Sequence, residues 1–234
     1  RFRTFWPRGR KQKDMTYTQF NPRPYEAHRI ALDLVPPGSR VLDVGCATGY
    51  MARELIRKSC TVIGVENDPV AAKAARRYCK NVIEGDLEEP TSLRFPNHAF
   101  DVVLCLDVIE HLVHRAQLLR YMHQWLATDG LLILSTPNIA HVSIRWRLLL
   151  GDFTYTSRGI LDETHVHFFT KKTLVQILTQ GDFSIEKLLP TADFGQLPVA
   201  GRFLRHVPKS IQFGLTALVP TVLGVQHIAL CRPE

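Results

Sequence analysis

The sequence predicts an α/β fold, a mostly parallel seven-stranded sheet with helices on both faces and insertions after strand five and before the last strand. Three observations predict it. Short apolar runs alternate with helical segments along the 234 residues. Phe100-Asp101-Val102-Val103-Leu104-Cys105-Leu106 is a nearly continuous apolar run, as expected of a parallel strand covered on both faces. Val41 to Val44 runs into the small-residue turn Gly45-Cys46-Ala47-Thr48-Gly49 and then a helix, the unit at which open α/β sheets bind nucleotide-like ligands.

The composition, 45% hydrophobic and 22% charged, is that of an ordinary globular protein with a proper core. Cys46, Cys60, Cys79, Cys105 and Cys231 form no Cys-x-x-Cys pair. That pattern argues against a disulfide or zinc framework and for reduced thiols in a cytoplasmic setting. No signal-peptide pattern is visible. The net charge of +7 is concentrated early: residues 1–40 hold nine Arg/Lys against three Asp/Glu. The leader from Arg1 to Lys11 reads as a solvated end. Its basic and aromatic mixture also suits an anionic membrane surface or nucleic acid.

In chain order, residues 21–36 predict an amphipathic helix entered after a Pro-rich turn, and Pro36-Pro37-Gly38 separates it from the first strand. Residues 1–37 are thus a leader and N-terminal helix, and 38–234 the main domain. After Gly49 a helix carries Met51, Ala52, Leu55 and Ile56 on one face. Strand two is Thr61 to Val65, and Asp68-Pro69 starts the next helix. Strand three lies near Asn81 to Ile83. The helix after strand four carries Leu118, Leu119, Met122, Trp125 and Leu126, with Gly130 as its stop. Leu131 to Leu134 is strand five. Thr170 caps a helix from Lys171 to Gln180, closed by Gly181, and Phe183–Leu189 and Val225–Cys231 are the late strands.

Two stretches exceed this alternation: a lid-like insertion at 139–169 and an apolar helical insertion at 191–224. Loops this long in a compact domain are usually functional. Ile211 to Leu230 has no charged residue except through histidine, but Pro220, Gly214, Gly224, Gln212 and Gln226 argue against a membrane span. A helix packed on the domain is the expectation, and a peripheral membrane contact edged by Arg202, Arg205 and Lys209 is the alternative.

Asp43 ends strand one, where a carboxylate would repel a pyrophosphate and suit a ligand carrying positive charge. Glu66 lies 17 residues after Gly49, at the end of strand two, where it can accept from both ribose hydroxyls of an adenosine. Asp43-x-Gly45-x-Ala47-x-Gly49 resembles the first motif of class I S-adenosylmethionine-dependent methyltransferases, with Ala47 replacing the middle glycine. The resemblance, which covers about residues 38–185, implies a Rossmann-like domain using S-adenosyl-L-methionine and releasing S-adenosyl-L-homocysteine. It implies a cofactor site of Asp43, Gly45, Ala47, Gly49, Glu66 and Leu106, with Asp86 accepting from the adenine amino group and Leu87 covering the ring.

Leu106-Asp107-Val108-Ile109-Glu110-His111-Leu112 resembles the fourth-strand motif of the subgroup containing ubiquinone-biosynthesis O-methyltransferases and bacterial polysaccharide-cluster methyltransferases. It also resembles small-RNA 2′-O-methyltransferases, in which an acid-x-x-Glu-His segment supplies metal ligands. Asp107, Glu110, His111 and His165 would form such a divalent-metal set. The competing account, in which Glu110 and His111 only shape the pocket floor, is preferred. His165 and His167 in Leu161–Thr170 point to one side if that stretch is extended. His165 best matches a His-x-x-Phe-Phe-Thr segment beside the subgroup's acceptor site. His111 and His165 are the general-base candidates and Glu110 completes the catalytic set; Ser135, Thr136, Asn138 and His167 would orient the acceptor. Trp146, Phe153 and Tyr155 would form a lid that excludes water.

The expectation is therefore an S-adenosylmethionine-dependent methyltransferase, acting on oxygen of a small molecule, sugar or lipid-linked glycan. The alternatives are an RNA ribose 2′-O-methyltransferase with a divalent metal, and an inactive cofactor-binding partner subunit. The expected location is the cytoplasm, peripheral to the membrane if the apolar insertion makes that contact.

Overall fold

A computed structural model describes residues 19–198 and 200–234. The Arg1–Lys11 leader, and any membrane or nucleic-acid contact it makes, lies outside the described residues. In order the elements are α1 (Ala27–Leu34), β1 (Arg40–Val44), α2 (Tyr50–Leu55), β2 (Thr61–Glu66), α3 (Pro69–Ala75) and β3 (Asn81–Glu84). There follow β4 (Phe100–Leu106), α4 (Arg115–Trp125), β5 (Leu126–Pro137), α5 (Val142–Leu149), α6 (Lys171–Gln180) and β6 (Phe183–Ala192). The chain continues through α7 (Gly201–Leu204), α8 (Lys209–Leu218), α9 (Pro220–Leu223) and β7 (Gly224–Pro233).

Seven strands form one sheet in the order β3-β2-β1-β4-β5-β7-β6. All pairings are parallel except those of β7, which runs antiparallel to both β5 and β6. β1 pairs with β2 on one side and β4 on the other, so the strand order reverses there and a crevice opens above their carboxyl ends. Alternation along each strand feeds two cores. Leu42, Val103 and Cys105 face Leu118, Met122 and Leu178 of α4 and α6. Val41, Val102 and Leu104 face Ala31, Met51, Leu55 and Ala72 of α1, α2 and α3. A central strand buried on both sides favours apolar side chains, hence the run of β4 from Val102 to Leu106, with Asp101 only part-buried near its start.

The start signals read from sequence act as expected. Asp68 accepts a hydrogen bond from the Val70 N–H at 2.9 Å with Pro69 in the first turn. Thr170 and Thr173 form a reciprocal capping box at the start of α6, and Gly181 follows its end. Several boundaries differ: the helix expected over 21–36 is confined to Ala27–Leu34, and the strand from Phe183 runs on to Ala192. α4 ends at Trp125, and Leu126 already pairs with Phe100, so β5 is longer than the expected 131–134 segment. His98 holds this junction through its N–H to the Gln124 carbonyl (2.9 Å) and its Nδ1 to the Leu126 carbonyl (2.8 Å), a tertiary tie that overrides helical spacing. Ile56 is exposed because α2 tightens there into a 3₁₀ turn and rotates it off the buried face.

The 191–224 insertion folds as α7, α8 and α9 against β6. Gln212 of α8 is buried, accepting from the Phe194 N–H at 2.9 Å and donating to the Val207 carbonyl at 2.7 Å. Among the described residues no helix is long and apolar enough to cross a membrane. α8 nevertheless leaves Ile211, Leu215 and Leu218 exposed on one face.

Candidate functional site

The turn after β1 has a backbone only small residues tolerate. Gly45, Ala47 and Gly49 all adopt positive φ, at 76°, 46° and 77°. A Cβ on Gly45 would lie 2.7 Å from Val108, and one on Gly49 2.9 Å from the backbone of Ala75. The glycines therefore serve close packing of the turn as well as its conformation.

Asp43 is fully buried at the end of β1, and its Oδ2 has no hydrogen-bond partner. Burial, and then the charge of Glu66, push its carboxyl up to about 7. Glu66 ends β2 and ties the turn together: Oε2 accepts from the Ala47 N–H, and Oε1 from the N–H groups of Asn67 and Asp68, each at 2.9 Å. With four lone-pair positions, the carboxylate keeps acceptor capacity on Oε2. Asp86 lies two residues past β3, exposed, with Oδ1 accepting from Glu88 N–H at 2.9 Å. Leu87 packs on the core beside it, and Leu106 closes β4 nearly buried. His28 of α1 stacks against Tyr50 at 4.7 Å. Burial lowers the affinity of His28 for a proton, against the opposing charge of Asp107.

Beside the turn is a second cavity of about 310 Å³ whose lining includes Asp107, Glu110, His165, Glu26, Arg158 and Gln226. Asp107 takes a positive φ of 54°. Its Oδ1 accepts from Ser135 Oγ (2.8 Å) and Gln226 Nε2 (2.9 Å), so β5 and β7 jointly aim it. Glu110 is buried, and neither carboxylate oxygen has a hydrogen-bond partner. Burial and then Asp107's charge hold its carboxyl well above the usual range.

The His111 and His165 rings meet edge to face with centroids 4.8 Å apart. His111 donates Nδ1–H to the Thr164 carbonyl and His165 to the Ile160 carbonyl, both at 3.2 Å. Carbonyl acceptors fix these tautomers and leave each Nε2 lone pair available. Burial, and then the neighbouring His111, lower the proton affinity of His165. Ligand atoms from Glu110, His111 and His165 all lie within 4.8 Å of one another, a carboxylate and two imidazoles suited to a divalent cation.

The fold thus brings Asp43, Glu66, Glu110, His111 and His165 to one edge of the sheet. Two expected acceptor contacts are placed elsewhere. The chain bends at Val166, so His167 faces away from His165 and lines a different cavity with Arg115. Asn138 is buried, its Nδ2 donating to the carbonyls of Thr221 (3.0 Å) and Gly224 (2.7 Å) and its Oδ1 accepting from Ala140 N–H. Both its donors are spent on tying the two insertions together. Ser135 is used to orient Asp107. Phe153 and Tyr155, though exposed on one side, pack around Phe168, itself against His165; Trp146, equally exposed, takes no part in that ring cluster. Sequence reading missed Glu26, His28, Arg158 and Gln226. Only Gln226 left a signal, a polar residue in an apolar strand.

Comparison with known proteins gives concordant matches. The profile of the methyltransferase domain family matches residues 20–188. Ubiquinone biosynthesis O-methyltransferase of Pasteurella multocida is 26% identical over 141 residues, covering 55% of this chain and 57% of that protein. The mitochondrial enzyme of the same name from Arabidopsis thaliana is 26% identical over 183 residues, covering 75% and 55%. The chain therefore spans about half the length of these curated relatives. A SAM-dependent methyltransferase structure from Archaeoglobus fulgidus superposes with a TM-score of 0.60 at 20% identity, covering 88% of this chain and 90% of that one.

Proposed function

The chain belongs to the methyltransferase domain family, and from that premise we propose that it moves the methyl group of S-adenosylmethionine to an oxygen of a small molecule, sugar or lipid-linked glycan. The observation that carries the reading is the meeting of two groups of side chains at one sheet edge. Asp43 and Glu66 stand at the positive-φ turn, and a ring nitrogen of His165, held in acceptor form, stands over the adjacent cavity.

S-adenosylmethionine supplies an electrophilic methyl on a sulfonium. Asp43 offers a partner for positive charge, Glu66 has acceptor capacity for ribose hydroxyls, and the proposal keeps Asp86 and Leu87 at the adenine. The acceptor hydroxyl lies against Asp107, Glu110 and His165. As the oxygen–methyl bond forms and the sulfur–methyl bond breaks, the hydroxyl proton passes to Nε2 of His165, with His111 packed beside that ring. Alignment of the reactants provides most of the acceleration, worth roughly 7–11 kcal/mol in favourable cases. Packing of Phe153 and Tyr155 over Phe168 limits water at the histidine.

The test is labelled methyl transfer into extracts fractionated as lipid, glycan, small molecule and RNA. Label in the first three classes supports the proposal. Label confined to RNA overturns the acceptor in favour of the ribose reading, and no label in any fraction overturns the activity.

A second reading rests on the Glu110, His111 and His165 cluster. Both imidazoles present Nε2 and both Glu110 oxygens lack partners, a donor set that fits a divalent ion holding two acceptor oxygens. Activity untouched by EDTA rejects it. The exposed face of α8, with Arg202 and Arg205 nearby in sequence, supports a peripheral contact with anionic lipid as part of the proposal.

A further inference from the structure

A further cavity lies between α4 and α6, apart from the crevice, and has the opposite electrical character. It measures about 530 Å³, against about 30 Å³ for one water molecule. Arg115, Arg120, His114, His167, Gln117 and Gln176 line it, and no Asp or Glu does. The acceptor cavity, by contrast, contains Glu26, Asp107 and Glu110.

Arg115 is the key residue. Its guanidinium sits 5.8 Å over the Phe169 ring. One terminal nitrogen faces His167 Nε2, and Nε is sealed from solvent with no partner. Burial and then Arg115's charge keep the His167 ring neutral, so it accepts from the guanidinium without balancing it. Among the described residues neither Arg115 nor Arg120 forms an ion pair. Glu88, the acid beside this loop, spends its two oxygens on the N–H groups of Val113 (2.6 Å) and His114 (2.9 Å). A sealed, unpartnered guanidinium nitrogen is costly to maintain. The donors around it are two guanidiniums, the His114 imidazole, three amides and the Thr173 hydroxyl, more than the two oxygens of a carboxylate can use. α4 also begins at this cavity, so its dipole favours negative charge there.

We propose that this cavity is a binding site for a phosphoryl group, held by Arg115 with Arg120 at the rim. The site is independent of methyl transfer. Its ligand is a soluble phosphate or diphosphate, or the headgroup of a phospholipid.

Inorganic pyrophosphate titrated calorimetrically at physiological salt tests the site. The unaltered protein should bind it saturably, one per chain. Loss of one charge-assisted contact weakens affinity about tenfold or more in Arg115→Gln, and less in Arg120→Gln, whose side chain is exposed. S-adenosylhomocysteine binding should be unchanged in both, which certifies the fold and separates this result from the methyl-donor reading. If Arg115→Gln does not fold, Arg115→Lys, which keeps charge and loses the planar fork, should still weaken pyrophosphate binding. Flotation with phosphatidylcholine vesicles containing phosphatidic acid distinguishes the sources. Capture lost in the Arg115 variant indicates a headgroup, and pyrophosphate binding without such capture a soluble ligand. Absence of saturable pyrophosphate binding, or binding equal in the variants and the unaltered chain, overturns the proposal.

Discussion

Asp43 is a carboxyl whose charge depends on what lies next to it. In the free protein its pKa stands at about 7, against an ordinary 3.8, because burial and Glu66 penalise the anion. A cationic group bound beside it favours the anion, so binding must release a proton. Calorimetry of S-adenosylmethionine in buffers of different ionisation enthalpy at mildly acid pH should detect that release, and Asp43→Asn should abolish it. The sign for stability is opposite to that of an ordinary paired acid. Between about 4 and 7 the folded state holds the proton more tightly than the unfolded, so Asp43 contributes stability at low pH that fades as pH rises through 7. His165 is tested kinetically. His165→Gln should lower kcat by about 10²–10⁴-fold while leaving S-adenosylhomocysteine affinity intact, since in the proposed mechanism the ring moves a proton and does not hold the donor.

At the scale of elements, the features legible in the sequence were those with a local cause. Thr170, Asp68-Pro69 and Gly181 act on backbone groups within a few residues, and each stands where the residues predict. Thr170→Ala should accordingly destabilise the protein by about 1 kcal/mol in urea unfolding, without altering the site. Features with a distant cause were not legible. The α4–β5 boundary is set by His98 from the preceding loop. Asn138 sits in register with an acceptor-orienting role, but Thr221 and Gly224, more than eighty residues on, take its donors. His167 departs from His165 because Val166 and His167 both donate to the Glu110 carbonyl, which bends the strand-like stretch. The three strand-end acids were readable because sheet topology fixes their common edge; the cavity lined by Asp107, Glu110 and His165 was not, because six separate segments build it.

For the whole molecule, acid sensitivity has a second and opposing source. His141 and His227 are buried, and burial pushes each down to about 4 from 6.5. The unfolded chain takes these protons first, so stability is complete above about 6.5 and lost as pH falls toward 4, by about 3 kcal/mol for each histidine. Unfolding followed across that range should show the slope, and His227→Gln should flatten it. The resemblance named the methyl donor from one turn and two acids, whereas the proposed acceptor site draws on side chains the fold gathers from both ends of the described residues.

The antiparallel β7 has one consequence for how the protein is made. β5 and β6 have no hydrogen bonds to each other; the strand that joins them is the last of the seven to be synthesised. Until Gly224–Pro233 emerges, one flank of β5 stays open, β6 has no sheet partner, and Asp107 lacks the Gln226 amide that aims it. A nascent chain can thus pair β1 to β5 while the β6 flank is unfinished, and the strand that completes the sheet also supplies the amide that aims Asp107.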